Sequence, residues 1–507
     1  MKKISILLLS VLAIGLTSCS MDEKPYNAIL DTEALETAKD FTSMRIGLYS
    51  PLRGINSGVS AYLQDIQTDN FNAVSGFSNT HGSIYTWQAT SDAGEFSTVY
   101  GGNQELIGRC NFILDGVAKL DTTETKKFSK EDSASVKLVV GEAYYLRAIS
   151  LFNLAQCFCA DYNESTASDA NSGVAYTLKY SPSSIASTYP ARKTLKETYA
   201  QITSDLNEAA SRITTKPALS SAYITVDCIT ALRARIALAM HDNKSAATLA
   251  VALINTHNYA LAQGKAGLED MWLNDGGTET IWQLPCPTKN ELAGQNGYYF
   301  LPSSKGANPD YLPSGDFVNT FDAAKDARFS IYFKKGVVSA TNGTTGTVYE
   351  FDKYRDTSVV YNQFKTEDSR FVSEPKVFRI AEFYLIAAEA YAQQTDLTNA
   401  AKYLNDLERT RISGYTDQTF LTKESAMAEI KKERRRELAC EGTRLLDLKR
   451  WGDGISRTSA QILNLCLNPG STITTNLTKS ASEKRMVWPI PKHETDANPQ
   501  VVQNAGW

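Results

Sequence analysis

Three carboxylates stand four residues apart in one charged run: Glu433, Glu437 and Glu441. On a helix that spacing lines them along one face, where two carboxyl groups could divide the acid and base roles of a hydrolase. A general acid needs a raised pKa, and the neighbouring residues oppose one. Arg434, Arg435, Arg436 and Arg444 are interleaved within helical reach, so the pattern predicts a structural ion-pair network that keeps the acids ionised. Arg379 with Glu382, and Glu142 with Arg147, read the same way.

Other catalytic chemistry has little to draw on. The chain offers no Gly-x-Ser-x-Gly elbow for a nucleophile and no Gly-x-x-x-x-Gly-Lys loop for a phosphate. Its 4 histidines, His81, His241, His257 and His493, fall outside ligand spacing of one another, which argues against zinc. No cofactor is called for, and Asp-rich loops leave a bracing calcium ion open without indicating one.

Capture of a polyhydroxylated ligand needs something else: a flat aromatic ring to lie against, flanked by amide, carboxylate or guanidinium groups for the hydroxyls. Two stretches carry that mixture. Between Tyr62 and Trp87, the side chains of Asp65, Asn79, His81 and Trp87 are candidates to converge. Between Gln295 and Tyr311 the candidates are Asn296, Tyr298, Tyr299 and Tyr311, with the adjacent Tyr298 and Tyr299 following a glycine and so expected on an exposed turn. Each has a plainer alternative: Trp87 as core, Tyr62 and Phe300 as packing residues, Asp65 and Asp69 as loop fixers. Trp272, Trp282 and Trp488 sit among apolar neighbours and read as structural.

The elements that must position these groups are mainly helical. Apolar residues at three-to-four spacing predict helices over Val136–Phe158, Leu195–Ile213, Val226–Met240, Ser245–Asn255, Lys376–Gln393, Leu397–Arg411 and Lys423–Trp451. Two pairs align without a gap, the run from Ala231 against the run from Leu385. Ala234 and Ala388 precede Ala246 and Ala400 by twelve positions, with Asp242 or Asp396 in the turn. Small residues at those places let antiparallel helices pack closely, as in a tetratricopeptide repeat. The stretches rich in Gly, Pro, Asn and aromatics interrupt the helices and are too long for simple loops, so they are expected to fold together over the helical scaffold.

A net charge of -4 without a basic block argues against nucleic acid. The 25 tyrosines are in excess, which suggests exposed rings used for contact. The cysteines after Cys19 are odd in number and scattered, as expected of buried thiols; Cys157 and Cys159 point apart on their helix.

Lys2 and Lys3, an apolar run from Ile4 to Leu16, and Leu16-Thr17-Ser18-Cys19 form a lipoprotein signal. The run is too short to remain as a span. Residues 1–18 are read as signal peptide, 19–27 as a lipidated tether anchored through Cys19, and 28–507 as one domain. Its helical repeats are expected mainly in 28–55, 100–258 and 374–451, and its irregular segments mainly in 56–100, 259–373 and 452–507. Asp22 and Glu23 behind the anchor resemble the surface-export tag of lipoproteins in the Bacteroides group of bacteria.

The run Ile430-Lys-Lys-Glu-Arg-Arg-Arg-Glu-Leu-Ala-Cys-Glu-Gly-Thr-Arg-Leu-Leu-Asp-Leu-Lys-Arg-Trp451 resembles the C-terminal helix of the SusD/RagB family of nutrient-binding outer-membrane lipoproteins. Glu142–Ala148, Phe378–Ala390 and Trp488–Asn504 agree with it in order, so the resemblance covers essentially the whole chain. Cys440 and Thr443 depart from the family's usual residues and touch packing. The resemblance implies a mostly α protein, a tetratricopeptide-like helical scaffold with an irregular, loop-rich subdomain inserted on one side. It implies no catalysis. Members sit as a lid on a SusC-like TonB-dependent transporter and capture oligosaccharides, or peptides in some branches. In glycan-binding relatives the site draws on the two regions named above. The chain is therefore expected at the outer membrane, lipid-anchored and facing outward, with peptide cargo or a ligand-free scaffold as the other readings.

Overall fold

The computed structural model describes residues 34–120, 128–294, 309–355, 357–366, 369–457, 459–467 and 478–507. In chain order its principal elements are α1 (Ala38–Tyr49), α2 (Val59–Gln67), β1 (Phe71–Ala73), α3 (Gly94–Lys119), α4 (Lys130–Phe158), α5 (Leu195–Ala210), α6 (Val226–Ala239), α7 (Asn243–Ile254) and α8 (Gly264–Leu273). There follow β2 (Thr280–Gln283), β3 (Tyr311–Pro313), β4 (Phe333–Ser339), β5 (Thr345–Phe351), β6 (Lys376–Arg379), α9 (Ile380–Gln393), α10 (Leu397–Arg411), α11 (Lys423–Glu437) and α12 (Arg444–Trp451).

The two aligned helix pairs have the same turn in three dimensions. His241 and Thr395 adopt φ of 59° and 61°, each in the left-handed region that ends the first helix of its pair. Asp242 and Asp396 then cap the second helix, their carboxylates accepting the backbone N–H of Ser245 and Asn399 at 3.1 Å. Ala234, Ala246, Ala388 and Ala400 are all fully buried, which lets each pair close tightly. Helix α7 packs on α9, so the two repeats stack, and α3, α4 and α5 pack in succession as further antiparallel neighbours. The fold is a tetratricopeptide-like helical scaffold.

Three boundaries differ from the sequence reading. Lys376–Arg379 is a strand paired with β2, not the start of a helix; Pro375 precedes it, and the Val377–Phe378 stretch sits fully buried in the pair. The long C-terminal helix is broken between Glu437 and Arg444. Cys440 and Gly442 take φ of 57° and 72°, and the Gly442 N–H donates to the Ala61 carbonyl at 2.8 Å. A Cβ on Gly442 would meet the Ser60 carbonyl at 2.8 Å, so only glycine fits that approach. Conversely, Val59–Gln67 is a helix inside a stretch read as irregular.

The inserted segments have a core of their own. Tyr62, Phe71, Trp272, Tyr311, Phe317, Tyr332, Phe333, Phe351 and Tyr354 pack together beside the scaffold, largely edge to face. Five of the 25 tyrosines, Tyr62, Tyr85, Tyr311, Tyr332 and Tyr354, are buried in this core rather than exposed for contact. The seven cysteines from Cys110 to Cys466 are unbridged and buried.

Candidate functional site

The two stretches singled out in the sequence meet in one antiparallel pair. β1 runs against β3 with Phe71 opposite Pro313, Asn72 opposite Leu312 and Ala73 opposite Tyr311. Beyond the pair, Val74 N–H donates to the Asp310 carbonyl at 2.9 Å. The Ser78 backbone N–H and hydroxyl both donate to the Asp310 carboxylate, at 2.9 and 2.7 Å. Asn296, Tyr298 and Tyr299 lie outside the described residues. Of the residues that flank them, Gly294 packs on Gly58 and donates to the Ser57 hydroxyl at 2.7 Å, while Asp310 holds Ser78.

Asn79, His81 and Trp87 share an uncommon backbone, with φ of 61°, 55° and 60°. Asn and His tolerate this region, but in Trp it costs about 1–3 kcal/mol and persists only where surroundings enforce it. They do. The Trp87 indole N–H donates to the Gln67 carbonyl at 3.0 Å, and its own carbonyl accepts from Arg485 at 3.0 Å. His81 bridges two helices, with Nδ1 2.7 Å from Glu95 and Nε2 3.2 Å from the Tyr62 hydroxyl. The His81 contact holds the Glu95 carboxyl below its ordinary value.

This geometry corrects three of the candidate roles. Trp87 is only 5% exposed and Tyr311 not at all, so neither ring is open to stack on a ligand. Tyr311 turns inward from β3 to pack on Phe77 and Tyr85, and its hydroxyl donates to the Thr80 carbonyl at 2.5 Å. Asp65 is fully buried and accepts from the Asn70 amide at 2.6 Å; burial pushes its carboxyl up to about 6. Asp69 instead meets the Arg444 guanidinium in a two-bond contact, at 2.8 and 2.7 Å. Burial would raise its carboxyl, but Arg435 and Arg444 hold it well below the usual range. Among the described candidates Asn79 alone is well exposed, with His81 partly so.

The charged run is a buried network, but its partners come from distant segments more than from its own helix. Glu433 pairs with Arg328 as well as Arg436, and Glu441 with Lys353 and Arg379. Glu437 lies among Arg328, Arg379 and Arg411 at 2.9 to 3.1 Å. Burial favours the neutral acid, yet Arg411, Arg379 and Arg328 together hold Glu437 far below the usual range. Two sequence pairings are exchanged: Glu382 meets Arg235 rather than Arg379, and Glu142 meets Arg45 while Arg147 binds Asp205. A carboxylate kept ionised by cations cannot serve as a general acid.

A cleft of about 190 Å³ lies between the scaffold and the inserted segments. Asn56 and Ser60 line it, on either side of the Ser57–Gly58 step that holds Gly294, and Asn153, Arg235, Glu382 and Thr443 line it further in. The sequence reading missed these residues. Asn153 carried a usable signal, being an amide in the otherwise apolar Leu151–Leu154 stretch.

Residues 278–507 match the SusD family, and residues 21–238 match a family described as starch-binding associating with outer membrane. The chain belongs to the SusD/RagB family. SusD superfamily structures share its fold. One from Bacteroides thetaiotaomicron is 23% identical with a TM-score of 0.75, covering 92% of this chain and 99% of that one. Another, from Bacteroides vulgatus, is 21% identical with a TM-score of 0.74 over 93% and 99%. A SusD-like carbohydrate binding protein from Bacteroides vulgatus is 18% identical with a TM-score of 0.73 over 92% and 97%. No curated protein matches the chain. Among the described residues of this SusD/RagB protein, no cluster of His, Cys, Asp or Glu suits a metal ion, and no helix is long and apolar enough to cross a membrane.

Proposed function

We propose that this protein is a non-catalytic, lipid-anchored glycan-binding lipoprotein on the outer face of the outer membrane, which captures oligosaccharides and delivers them to a SusC-like TonB-dependent transporter. The β1–β3 pair carries this reading, taken with the starch-binding description of the matched family. It ties residues 71–73 to residues 311–313, which follow the stretch bearing Asn296, Tyr298 and Tyr299 in the chain. Asn79 is the exposed polar group already in place on the loop after β1. Trp87, Tyr311, Asp65 and His81 act as the frame of that loop: two buried rings, a buried acid and a bridging imidazole fix the backbone from which Asn79 projects. Cys19 supplies the anchor that keeps the capture domain beside its transporter.

Replacing Tyr298 and Tyr299 together by Ala removes the two rings proposed to stack on the ligand. Glycan affinity then falls at least tenfold while the melting temperature is unchanged. Unchanged affinity for every glycan bound by the native protein would overturn this placement of the site.

A further inference from the structure

The cleft between the scaffold and the inserted segments is charged, yet its charges are spoken for. Each of its four cations already has a carboxylate: Arg235 lies 2.6 Å from Glu382, Lys376 2.6 Å from Asp275, Arg434 3.0 Å from Asp447, and Arg450 pairs with Glu389. Four acids also line it, Glu374, Glu382, Glu441 and Asp447, so the lining balances four positive charges against four negative ones.

Apart from one guanidinium N–H, Arg434 Nη1, the groups left without a partner are neutral. The Ser60 and Thr443 hydroxyls and the side-chain carbonyls of Asn56 and Asn153 line the cleft without a protein partner among the described residues. Hydroxyls that both donate and accept, beside carbonyls that only accept, match a ligand rich in O–H groups. Ile55, Phe152 and Leu446 supply an apolar wall for a ring's C–H face. Size sets the fit: a cavity of ~150 Å³ holds one benzene ring, and this one, at about 190 Å³, takes one six-membered ring at a time.

Resting on the glycan-capture reading above, we propose that this cleft receives a single uncharged sugar ring, the end or a branch of the captured glycan, so that recognition is end-on and selects neutral over acidic glycans. A uronate or sulfate would enter a pocket whose four cations each already face a carboxylate, and the one free guanidinium N–H, on Arg434, would return only part of its lost hydration. Asn56 and Ser60 place the cleft's rim beside Gly294, where the segment carrying Asn296, Tyr298 and Tyr299 departs.

The test uses the full soluble domain with starch, inulin, xylan and mannan as neutral probes, and pectin and chondroitin sulfate as acidic ones. Partial acid hydrolysis of a bound neutral polysaccharide multiplies its chain ends, and its inhibitory power per gram should rise in proportion. Leu446→Trp fills the cleft and Asn153→Ala removes one acceptor; each should weaken binding tenfold or more while the circular-dichroism melting curve stays as in the native protein. Should Leu446→Trp perturb folding, Asn153→Ala alone decides. Glycan binding that is indifferent to both variants and to chain-end number overturns the cleft assignment and leaves the capture reading standing. Acidic glycans binding as tightly as neutral ones overturns the selectivity. Binding of no glycan at all overturns the capture reading and this inference with it.

Discussion

Tyr311 sits directly opposite Ala73 in the β1–β3 pair, and its hydroxyl reaches past the strand to the Thr80 carbonyl. One residue thus fixes the register of the pair, fills the aromatic core of the inserted segments, and pins the loop after β1. Asp310, its neighbour, holds the same loop through Ser78. Asp310→Ala releases two hydrogen bonds, worth about 1 kcal/mol each. Global stability should fall by no more than ~2 kcal/mol, whereas amide exchange at Ser78 accelerates and glycan affinity drops. Unaltered exchange at Ser78 would show that the hook does not hold the loop.

Glu437 neutralises buried arginines from three separate segments, Arg328, Arg379 and Arg411. Removing the one acid leaves several buried guanidinium groups short of a partner, at a cost of about 3–5 kcal/mol. Glu437→Ala should therefore shift the urea midpoint strongly downward. A hydrolase carboxylate would behave in the opposite way, losing sugar release with stability intact.

Asp65 makes stability depend on pH. Its folded-state carboxyl is raised by burial to about 6 from an ordinary value near 3.8. Below the ordinary value both states hold the proton and there is no penalty. As pH rises the unfolded chain ionises first, so stability falls through the window from about 4 to 6, and above it the penalty is complete at roughly 3 kcal/mol. Asp65→Asn should be more stable than the native protein at pH 7.5 and no more stable at pH 3.5. Denaturation curves at both pH values check the sign; an equal difference at both contradicts it.

How much of this was legible in the sequence follows from the range of the interactions involved. The helix pairs were readable because Ala234, Asp242 and Ala246, and their counterparts Ala388, Asp396 and Ala400, act over one turn and one helical face. The meeting of residues 71–78 with 310–313 was readable only at the level of stretches, through the family resemblance. The roles of single residues were not. Trp87 and Tyr311 look like platforms in composition and are walls in space, because burial depends on packing partners such as Arg485 and Phe77 that are distant in sequence or invisible to periodicity. The network around Glu437 was recognised as structural, but Arg328, Arg379 and Arg411 arrive from segments that helical spacing cannot reach. The break at Gly442 depends on the Ala61 carbonyl, likewise far off in the chain.

The anchor is tested separately from the site. A Cys19→Ala protein should bind glycan in solution with native affinity and should no longer fractionate with the outer membrane. Normal membrane fractionation of that variant would remove Cys19 as the attachment point.

The most direct test of the account is a calorimetric titration of the purified domain against neutral oligosaccharides and, in parallel, against peptides. The account predicts saturable glycan binding with no release of reducing sugar. Saturable peptide binding with no response to any glycan would contradict it.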